Sequence, residues 1–370
     1  MARVVFYDPY LEILGGGEKV LLTILEDVVN SAAHDVVILS PRKPELERWR
    51  RLKLAVDPRR LRWRQGGPLT ATPLSAGADL LITLANHIPP LSLAARAAAI
   101  IQFPFTRLHE GSGWVDATRA FERRCRLSSY DDILCYSEFV AVEIRQRLDV
   151  PDPVVIAPPV DLPPAVDPSL KERKIIAVGR FFPRMDANNK KHDVLIDAWR
   201  ALDADPVAEG WELHLVGGVH SDDASRAYVE QLRERARGTA VYFHPNASAD
   251  ELTDLYRRAA LFWHAAGFGE MLTERYEHFG ITTVEAMAHG CVPVVVRLGG
   301  QLEIVQDGGS GRLWCSIAEL VAITRELMAH PADVAALRDV AVARSARFGK
   351  QSFVDAVRRR VLEPAGVHVG

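Results

Sequence analysis

Short, β-rich apolar runs alternate with segments of helical period along nearly the whole of the 370-residue chain. Strands that alternate with helices of about 10 to 15 residues build βαβ units, and such units build parallel sheets. The chain is therefore predicted to be an α/β protein with parallel sheets. At roughly 150 residues per domain, its length fits two such domains.

The individual runs give the predicted elements. Strands are predicted at Arg3–Tyr7, Asp35–Leu39, Asp79–Thr83, Ala98–Phe103, Asp132–Tyr136, Lys174–Val178, Glu212–Val216, Val241–His244, Leu261–His264 and Val292–Val296. Helices are predicted near Glu18–Val29, Val115–Arg126, Glu138–Leu148, His192–Leu202, Ala224–Arg237, Ala249–Arg258, Thr283–His289 and Ser352–Leu362.

A proline-rich stretch separates the two halves. Ala157–Pro164 contains four prolines in eight residues, and Pro168 follows closely. Such a stretch continues neither a helix nor a central strand, and it behaves as a stiff, extended connector. Ligands of open α/β sheets bind beyond the carboxyl ends of the strands, so a cleft between two such domains is the default site.

Charge and cysteine usage narrow the class of protein. Lys and Arg total 45 against 48 Asp and Glu, and the formal net charge of −3 excludes bulk nucleic-acid binding driven by overall basicity. The four cysteines lie far apart, which favours reduced thiols over a zinc site or a disulfide framework. The first residues lack the pattern of a signal peptide, and no 18 consecutive apolar residues occur. We therefore expect a cytoplasmic protein, with peripheral membrane contact left open.

One stretch carries two glutamates, Glu277 and Glu285, eight positions apart across a predicted loop-to-helix junction. Gly280 has no Cβ, so a ligand can approach its backbone, and the amides of Ile281 and Thr282 open the following helix. Free N–H groups at a helix N-terminus favour an anion such as a diphosphate. Glu285 is placed to accept hydrogen bonds from ribose hydroxyls, and Glu277, outside the helix, is placed to meet a sugar. The alternative is a solvated glutamate beside a buried helix start.

These residues resemble the donor motif of family-four glycosyltransferases, which are retaining, nucleotide-sugar-dependent enzymes of the GT-B fold. The match comprises Glu277, Phe279-Gly280 and Glu285-Ala286-Met287-Ala288-x-Gly290. Further matches occur in the expected order at Gly15-Gly16-Gly17-Glu18-Lys19, Val178-Gly179-Arg180-Phe181 with Lys190-Lys191-His192, Leu215-Val216-Gly217-Gly218 and Gly299-Gly300-Gln301-x-Glu303-Ile304-Val305. The resemblance covers about residues 1 to 350 and is strongest over 175–315.

The resemblance implies an α/β GT-B architecture of two Rossmann-like domains whose parallel sheets face a central cleft. Residues 1–160 would form the acceptor-binding domain, with the C-terminal helix at about 350–370 packing back onto it. Residues 161–349 would form the donor-binding domain. The partners implied are a nucleotide sugar and an acceptor that the sequence does not identify, with no nucleic acid.

The resemblance also implies roles for individual residues. Catalytic roles fall on Arg180 and Lys191, two cations for the donor diphosphate, and on Glu277, which positions the sugar. Donor contacts are implied for Gly16, Gly17, Gly217, Phe279, Gly280, Ile281, Thr282 and Glu285. The cations take the place of a metal ion, and Asp203-Ala204-Asp205, which spells a metal-binding motif, lies in a predicted polar loop. We therefore expect no metal and no cofactor besides the nucleotide-sugar co-substrate, GDP- or UDP-linked.

Two positions depart from the family pattern. Gln102 stands where the family commonly has a histidine near the donor sugar, and a glutamine can donate a hydrogen bond but cannot titrate. His109, nearby in the sequence, is a candidate replacement, and an exposed loop histidine is the alternative. The spacing from Arg180 to the lysines is long, which leaves Lys190 and Lys191 both open as the phosphate ligand; Lys191 is favoured because it immediately precedes a predicted helix.

The donor and even the activity have alternatives. Glu277 to Ile281 spell Glu-His-Phe-Gly-Ile, which looks closest to GDP-mannose-dependent enzymes that extend lipid-linked oligosaccharides. UDP-glucose and UDP-N-acetylglucosamine stay open, because base-reading contacts are largely made by the backbone. A nucleotide-sugar-binding protein without transfer activity is the rival from another class, motivated by Gln102.

Residues 42–64 form a basic segment, with ten basic against three acidic residues. Trp49, Leu52 and Trp63 are interleaved with the cations, a composition typical of segments attracted to anionic lipid. The sequence thus leaves open a peripheral contact with an anionic membrane through this segment. The alternative is a solvated, arginine-rich face.

Overall fold

The computed structural model describes residues 1–12, 15–31, 34–43, 49, 52–104, 114–183 and 189–369, and for 114–117, 119 and 120 only the backbone. The chain divides into two compact units. Met1–Pro159 together with Lys350–Gly370 form the first unit, and Val160–Gly349 form the second. The division lies one residue before the boundary expected from the sequence.

The first unit is built on a seven-stranded sheet in which every paired strand runs parallel to its neighbour. Its strands are β1 Arg3–Tyr7, β2 Asp35–Ser40, β3 Leu61–Gln65, β4 Leu80–Ala85, β5 Arg96–Ile101, β6 Asp132–Cys135 and β7 Val154–Val155. Their order in the sheet is β3-β2-β1-β4-β5-β6-β7. Its first helices are α1 Gly16–Ser31, α2 Pro68–Ser75, α3 Trp114–Leu127 and α4 Glu138–Arg147.

The second unit has a six-stranded parallel sheet in the order β10-β9-β8-β11-β12-β13. Its strands are β8 Glu172–Val178, β9 Glu212–Gly217, β10 Val241–Pro245, β11 Ala259–His264, β12 Val292–Val296 and β13 Arg312–Trp314. Its helices are α5 His192–Asp203, α6 Asp223–Arg235, α7 Ala249–Arg258, α8 Ile281–Ala288, α9 Gln301–Ile304, α10 Ile317–Ala329 and α11 Pro331–Ser345.

The central strands read as apolar runs because both faces of each sheet are covered. Every residue of β4 and of β12 is buried, as expected for parallel strands with helices on both sides. In the second unit the core includes Trp199 and Trp263, whose rings meet edge to face at 6.4 Å. Fold class and parallel pairing are as the sequence predicts.

Each predicted strand is present, with ends that differ by at most two residues. The sequence missed β3, β7 and β13, and each of these lies at an edge of its sheet. An edge strand has one open side, so it does not need a continuous apolar run; β3 reads Leu-Arg-Trp-Arg-Gln. Among the described helices, the helical patterns of the sequence also missed α2, α9, α10 and α11.

The last helix, α12 Lys350–Val357, belongs to the first unit. Lys350 Nζ lies 2.5 Å from Glu26 Oε2 on α1. Arg358, just after the helix, forms a two-pronged ion pair with Asp27, with distances of 2.8 and 2.5 Å. These pairs join the C-terminal segment to α1, the attachment that the family resemblance implies.

The two tryptophans of the basic segment 42–64 differ in how far they are buried. Trp49 is 2% exposed, and Trp63 Nε1 donates a hydrogen bond to Ser40 Oγ at 3.0 Å. Arg48, Arg50 and Arg51 lie outside the described residues. Trp49 therefore belongs to the core of the first unit, whereas Trp63 is half-buried. Contact of this segment with an anionic membrane stays a prediction. Within the described residues, none of the helices has both the length and the apolarity of a bilayer span.

Candidate functional site

The strand order of the second unit reverses between β8 and β11. From β8 the chain moves to β9 and β10 on one side, and it then returns to β11, β12 and β13 on the other. Ligands of open α/β sheets bind at such a switch point, beyond the carboxyl ends of the strands. Gly179 and Arg180 follow β8 there, and His264 ends β11. The expected donor residues therefore cluster at the edge where a ligand site is expected on general grounds.

Glu277 is the centre of a hydrogen-bonded group at this edge. Its Oε2 accepts a hydrogen bond from Lys190 Nζ at 2.7 Å and lies 2.9 Å from His264 Nε2, while its side chain is 18% exposed. Burial by itself would raise the pKa of this carboxyl, but the Lys190 charge and the His264 hydrogen bond outweigh it and hold the pKa well below its usual range. Glu277 is therefore a carboxylate that can accept further hydrogen bonds.

His264 connects Glu277 to a buried glutamine, Gln301. Because ionised Glu277 can only accept, His264 carries its proton on Nε2, and its Nδ1 accepts from Gln301 Nε2 at 3.4 Å. Both side chains are buried, at 4% and 0% exposure. The histidine thereby fixes the orientation of Glu277, a role that the sequence analysis did not assign to it.

Gly280 forms the turn between Glu277 and helix α8. Its φ of 120° is unfavourable for a residue with a side chain, and a Cβ would lie 2.7 Å from Gln301 Nε2. The Gly280 carbonyl accepts from the amides at 283 and 284. The amides of Ile281 and Thr282, at the start of α8, have no acceptor within the helix and are therefore suited to bind an anion.

A second glycine turn packs against the same segment. Gly300 N donates to the Glu277 carbonyl at 2.8 Å. A Cβ on Gly299 would lie 2.3 Å from that carbonyl oxygen, and one on Gly300 would lie 2.5 Å from Phe279 Cα. Only glycines allow this close approach, so the turn after β12 holds the backbone around Glu277 in place.

The other two donor residues of this motif differ in what they offer. Glu285 is half-buried on α8, and its Oε2 lies 3.3 Å from the hydroxyl of Tyr256. Phe279 is 4% exposed, with its ring edge-on to Phe348 at 5.6 Å. The side chain of Phe279 therefore belongs to the core, and what it can present to a donor is its backbone.

Arg180 and Gly217 lie at the ends of neighbouring strands. Arg180 is exposed, with its guanidinium 4.7 Å from the centre of the Phe182 ring. None of the carboxylates in the described part of the chain forms an ion pair with it. A Cβ on Gly217 would lie 1.9 Å from the Gly179 carbonyl oxygen, so a glycine is required where β9 ends beside Gly179.

The two lysines left open by the sequence point to different carboxylates. Helix α5 begins at His192, as predicted, and Lys191 immediately before it has φ 57° and ψ 41°. Lys190 pairs with Glu277, whereas Lys191 Nζ pairs with Glu270 in the segment after β11. The two lysines therefore lie next to different groups of the same site.

In the first unit the structure brings Gln102 against the glycine loop. A Cβ on Gly17 would lie 1.9 Å from Gln102 Nε2, so the amide of Gln102 lies directly over the start of α1. Gly16 is the first residue of that helix. His109 lies outside the described residues.

Asp8 is a site candidate that the sequence analysis missed. It directly follows β1, where the strand order of the first sheet reverses between β1 and β4. The side chain is fully buried; Oδ1 accepts from Tyr10 N at 2.7 Å, and Oδ2 has no hydrogen-bond partner among the residues that the structure describes. Burial raises the pKa of this carboxyl to about 7. The sequence feature that could have identified Asp8 is its place immediately after an apolar strand.

Sequence comparison relates the second unit to glycosyltransferases. Residues 172–330 match the family model "Glycosyl transferases group 1". The mannosylfructose-phosphate synthase of Agrobacterium fabrum is 36% identical over 140 residues, which cover 36% of this chain and 27% of that protein. The mouse GDP-Man:Man(3)GlcNAc(2)-PP-Dol alpha-1,2-mannosyltransferase is 30% identical over 216 residues, 54% of this chain and 41% of the relative. The chain spans less than half the length of these curated relatives.

Structural comparison extends the likeness to the whole chain. The sucrose-phosphate synthase of Thermosynechococcus elongatus superimposes with a TM-score of 0.72 at 16% identity, covering 100% of both chains. HepE of Anabaena, in complex with UDP and glucose, gives a TM-score of 0.69 at 17% identity, covering 97% of this chain and 99% of HepE. At such identities the likeness concerns the fold, which is that of the GT-B glycosyltransferases.

Proposed function

We propose that this chain, whose residues 172–330 belong to the glycosyl transferases group 1 family, is a retaining glycosyltransferase that moves a hexose from a nucleotide sugar to an acceptor. The observation that carries the proposal is the ionised Glu277, held by Lys190 and His264 beside the open N-terminus of α8. A carboxylate for sugar hydroxyls and free amides for phosphate thus lie at one edge of one sheet. That combination suits a nucleotide sugar, in which a diphosphate links the sugar to the nucleoside.

The chemistry follows from where charge develops. Breaking the anomeric C–O bond builds positive charge on the sugar and negative charge on the departing diphosphate. In this proposal Arg180, Lys191 and the amides of Ile281 and Thr282 stabilise the diphosphate. Glu277, an acceptor only, binds sugar hydroxyls. Retention of configuration is part of the proposal because the resemblance to family-four enzymes implies it.

The remaining donor contact is the ribose. Glu285 lies about one turn into α8 and is half-buried, and Tyr256 Oη is 3.3 Å from its carboxylate. A half-buried carboxylate one turn beyond the amides proposed to bind the diphosphate is a hydrogen-bond acceptor suited to the hydroxyls of the adjoining ribose. We assign the ribose to Glu285 for this reason.

GDP-mannose is the donor we favour. The Glu-His-Phe-Gly-Ile sequence at 277–281 supports this choice, and so does the likeness to a mannosyltransferase whose name specifies GDP-mannose. A UDP-linked hexose is the second candidate, since HepE, of similar fold, was crystallised with UDP and glucose. A lipid-linked acceptor is compatible with the mannosyltransferase likeness and belongs to the same proposal.

The test is direct. Calorimetric titration with GDP, UDP, ADP and dTDP identifies the base, and incubation with the matching nucleotide sugar measures slow hydrolysis without an acceptor. Tight GDP binding with release of mannose from GDP-mannose is the expected result. Tight nucleotide binding without any turnover, with water or with sugar acceptors, would instead support the non-catalytic alternative, in which Gln102 marks a lost activity.

A further inference from the structure

Two histidines on neighbouring strands of the second unit form a hydrogen-bonded pair. His214 Nδ1 on β9 lies 3.0 Å from His244 Nε2 on β10. The other nitrogen of each ring lies beside a carboxylate: His214 Nε2 is 2.9 Å from Glu212 Oε2, and His244 Nδ1 is 3.1 Å from Glu251 Oε1. Glu251 belongs to the first turn of α7. These four side chains form a clasp that joins β9, β10 and α7.

The three contacts of the clasp need three protons. An ionised carboxylate accepts hydrogen bonds and donates none, so each contact with a glutamate requires an N–H on the histidine. The contact between the two rings requires one N–H more. Two neutral imidazoles carry only one N–H each. The clasp is therefore complete only when it holds one additional proton.

The additional proton belongs to His244. Burial outweighs the Glu212 hydrogen bond and lowers the pKa of His214, whose side chain is 7% exposed and stacks on the ring of Tyr242 at 5.2 Å. His214 is therefore neutral, and it donates to Glu212 and accepts from His244. The side chain of His244 is 21% exposed, and an imidazole binds a proton more tightly than a carboxylate does. His244 then donates from both of its ring nitrogens.

The charges around the clasp favour this assignment. Lys174 Nζ on β8 lies 3.7 Å from Glu212 Oε2, so a cation is already present at the Glu212 end. Lys174 also pairs with Glu172 at 2.6 Å. Within the described residues, Glu251 forms no ion pair except with His244. A proton on His244 thus compensates the charge at the end of the clasp that has no lysine.

The clasp lies next to the turn that follows β9. Asn246, two residues after His244, donates its backbone N–H to the Gly217 carbonyl at 2.8 Å, and its Oδ1 accepts from Val219 N at 2.8 Å. Its backbone is left-handed, with φ 57°, a conformation that persists only where the surroundings hold it in place. The end of β10 therefore holds the turn at Gly217, which the family resemblance assigns to the donor.

We propose that His244 is an imidazolium in the closed clasp, and that loss of its proton opens the contact with Glu251 and weakens nucleotide binding. The second half rests on the function proposed above, because the turn at Gly217 contacts a donor only in that enzyme. Without the proton, the lone pair of His244 Nδ1 faces a carboxylate oxygen, and Glu251, whose side chain is 49% exposed, turns to solvent. The closed clasp binds a proton that the open one lacks, so rising pH opens it.

The first experiment counts the protons on each ring. Long-range proton–nitrogen NMR spectra of the chain with labelled histidines are recorded from neutral to alkaline pH, and His244→Gln assigns the signals. EDTA is present, so that no metal ion bridges the rings. We expect His244 to keep both ring protons at a pH where the exposed His220 has lost one. If His244 loses its second proton together with His220 or at lower pH, the clasp closes without that proton and the proposal is overturned.

Glu251→Gln removes the need for the additional proton. The amide N–H of the glutamine donates to the lone pair of His244 Nδ1, so two neutral histidines complete the clasp. We expect His244 to lose its second proton at lower pH in this variant than in the wild type. Asp250→Asn, at the exposed neighbouring position of the same turn, removes the same charge and should leave His244 as in the wild type. An equal effect of both substitutions would overturn the clasp, because the charge of the helix turn and not the contact would then hold the proton.

Calorimetry tests the link to nucleotide binding. GDP and UDP are titrated at pH 7 and at pH 9 into the wild type and into Glu251→Gln. From the lower to the higher pH, we expect the affinity of the wild type for the preferred nucleotide to fall roughly threefold to tenfold more than that of the variant, the scale of one lost hydrogen bond. An equal fall in both proteins would overturn the link.

The outcomes separate the clasp from the proposed function. If His244 keeps its second proton but the folded wild type binds no nucleotide at either pH, the proposed function and the link fail and the clasp stands. If the wild type binds a nucleotide and His244 loses its second proton together with His220, the clasp fails and the proposed function stands.

Discussion

Lys190 Nζ lies 2.7 Å from Glu277 Oε2, which joins two segments 87 positions apart in the sequence. The lysine comes from the segment after β8 and the glutamate from the segment before α8. Lys191 is paired in the same way with Glu270, so each lysine has a carboxylate partner and ion pairing does not distinguish them. The proposal keeps Lys191 as the phosphate lysine because it immediately precedes helix α5, and it gives Lys190 the role of holding Glu277.

Lys190→Ala and Lys191→Ala should therefore behave differently. Loss of Lys190 removes the charge that holds the pKa of Glu277 low, so the acid limb of the pH–rate profile should move to higher pH. Loss of Lys191 should weaken nucleoside diphosphate binding and leave that limb in place. Calorimetry and pH–rate profiles of both variants check the assignment; an exchange of the two phenotypes would reverse it.

Transfer should not depend on a divalent metal. In the proposed site Arg180 and Lys191 supply the positive charge that a metal would otherwise provide. Activity should survive excess EDTA, and Arg180→Ala should reduce turnover by roughly 10²–10³, the scale for loss of one charge-stabilising group. Arg173→Ala, which removes an exposed arginine near the opposite end of β8, is the matched control. Loss of activity in EDTA with recovery in magnesium would contradict the assignment.

Glu285→Ala should weaken nucleotide binding by about 1.5–3 kcal/mol, the range for hydrogen bonds to a charged group. The physical reason is the loss of the acceptor for the ribose hydroxyls. Calorimetry with the preferred nucleoside diphosphate measures the effect. Unchanged affinity in a folded variant would show that another residue binds the ribose.

His192 should make the protein less stable in mild acid. Burial, with Lys190 nearby, lowers the pKa of this histidine from 6.5 to about 3. Between these values the unfolded chain binds a proton that the folded chain does not, so stability falls as pH falls, by about 2 kcal/mol between pH 6.5 and 5. Urea unfolding of His192→Gln should show a shallower loss over that range. His220→Gln, at an exposed histidine, is the control and should keep the wild-type slope.

Asp8→Asn should stabilise the protein at alkaline pH. The pKa of Asp8 is raised from 3.8 to about 7 by burial, so the folded state binds its proton more tightly than the unfolded state. Stability is therefore full below about pH 4 and falls as pH rises towards 7, by up to about 4 kcal/mol. The variant, which keeps the acceptor for Tyr10 N, should unfold at higher urea than the wild type at pH 8 and show little gain at pH 4.5. An equal gain at both pH values would mean that the carboxyl does not titrate in this way.

The site motif was predictable for a local reason. Glu277, Gly280 and the first amides of α8 lie within six consecutive residues. The backbone at position 280 has a φ of 120°, which favours glycine, and the sequence has a glycine there. Phe279 shows the limit of such reasoning. It belongs to the same motif, but its ring packs on Phe348, whose position no local pattern reveals.

The sequence by itself determined the parallel α/β class and the central strands such as β4 and β12, because a strand buried on both faces must be apolar throughout. Only the tertiary structure decided the edge strands, which are not so constrained, and the partner of each charge. Lys190 and Lys191 are adjacent in sequence and chemically alike, but they meet Glu277 and Glu270 because the left-handed backbone at Lys191 and the packing of β8 beside β11 direct them apart. An ion pair depends on distances of a few ångströms between distant segments, and those distances exist only once the sheet has formed.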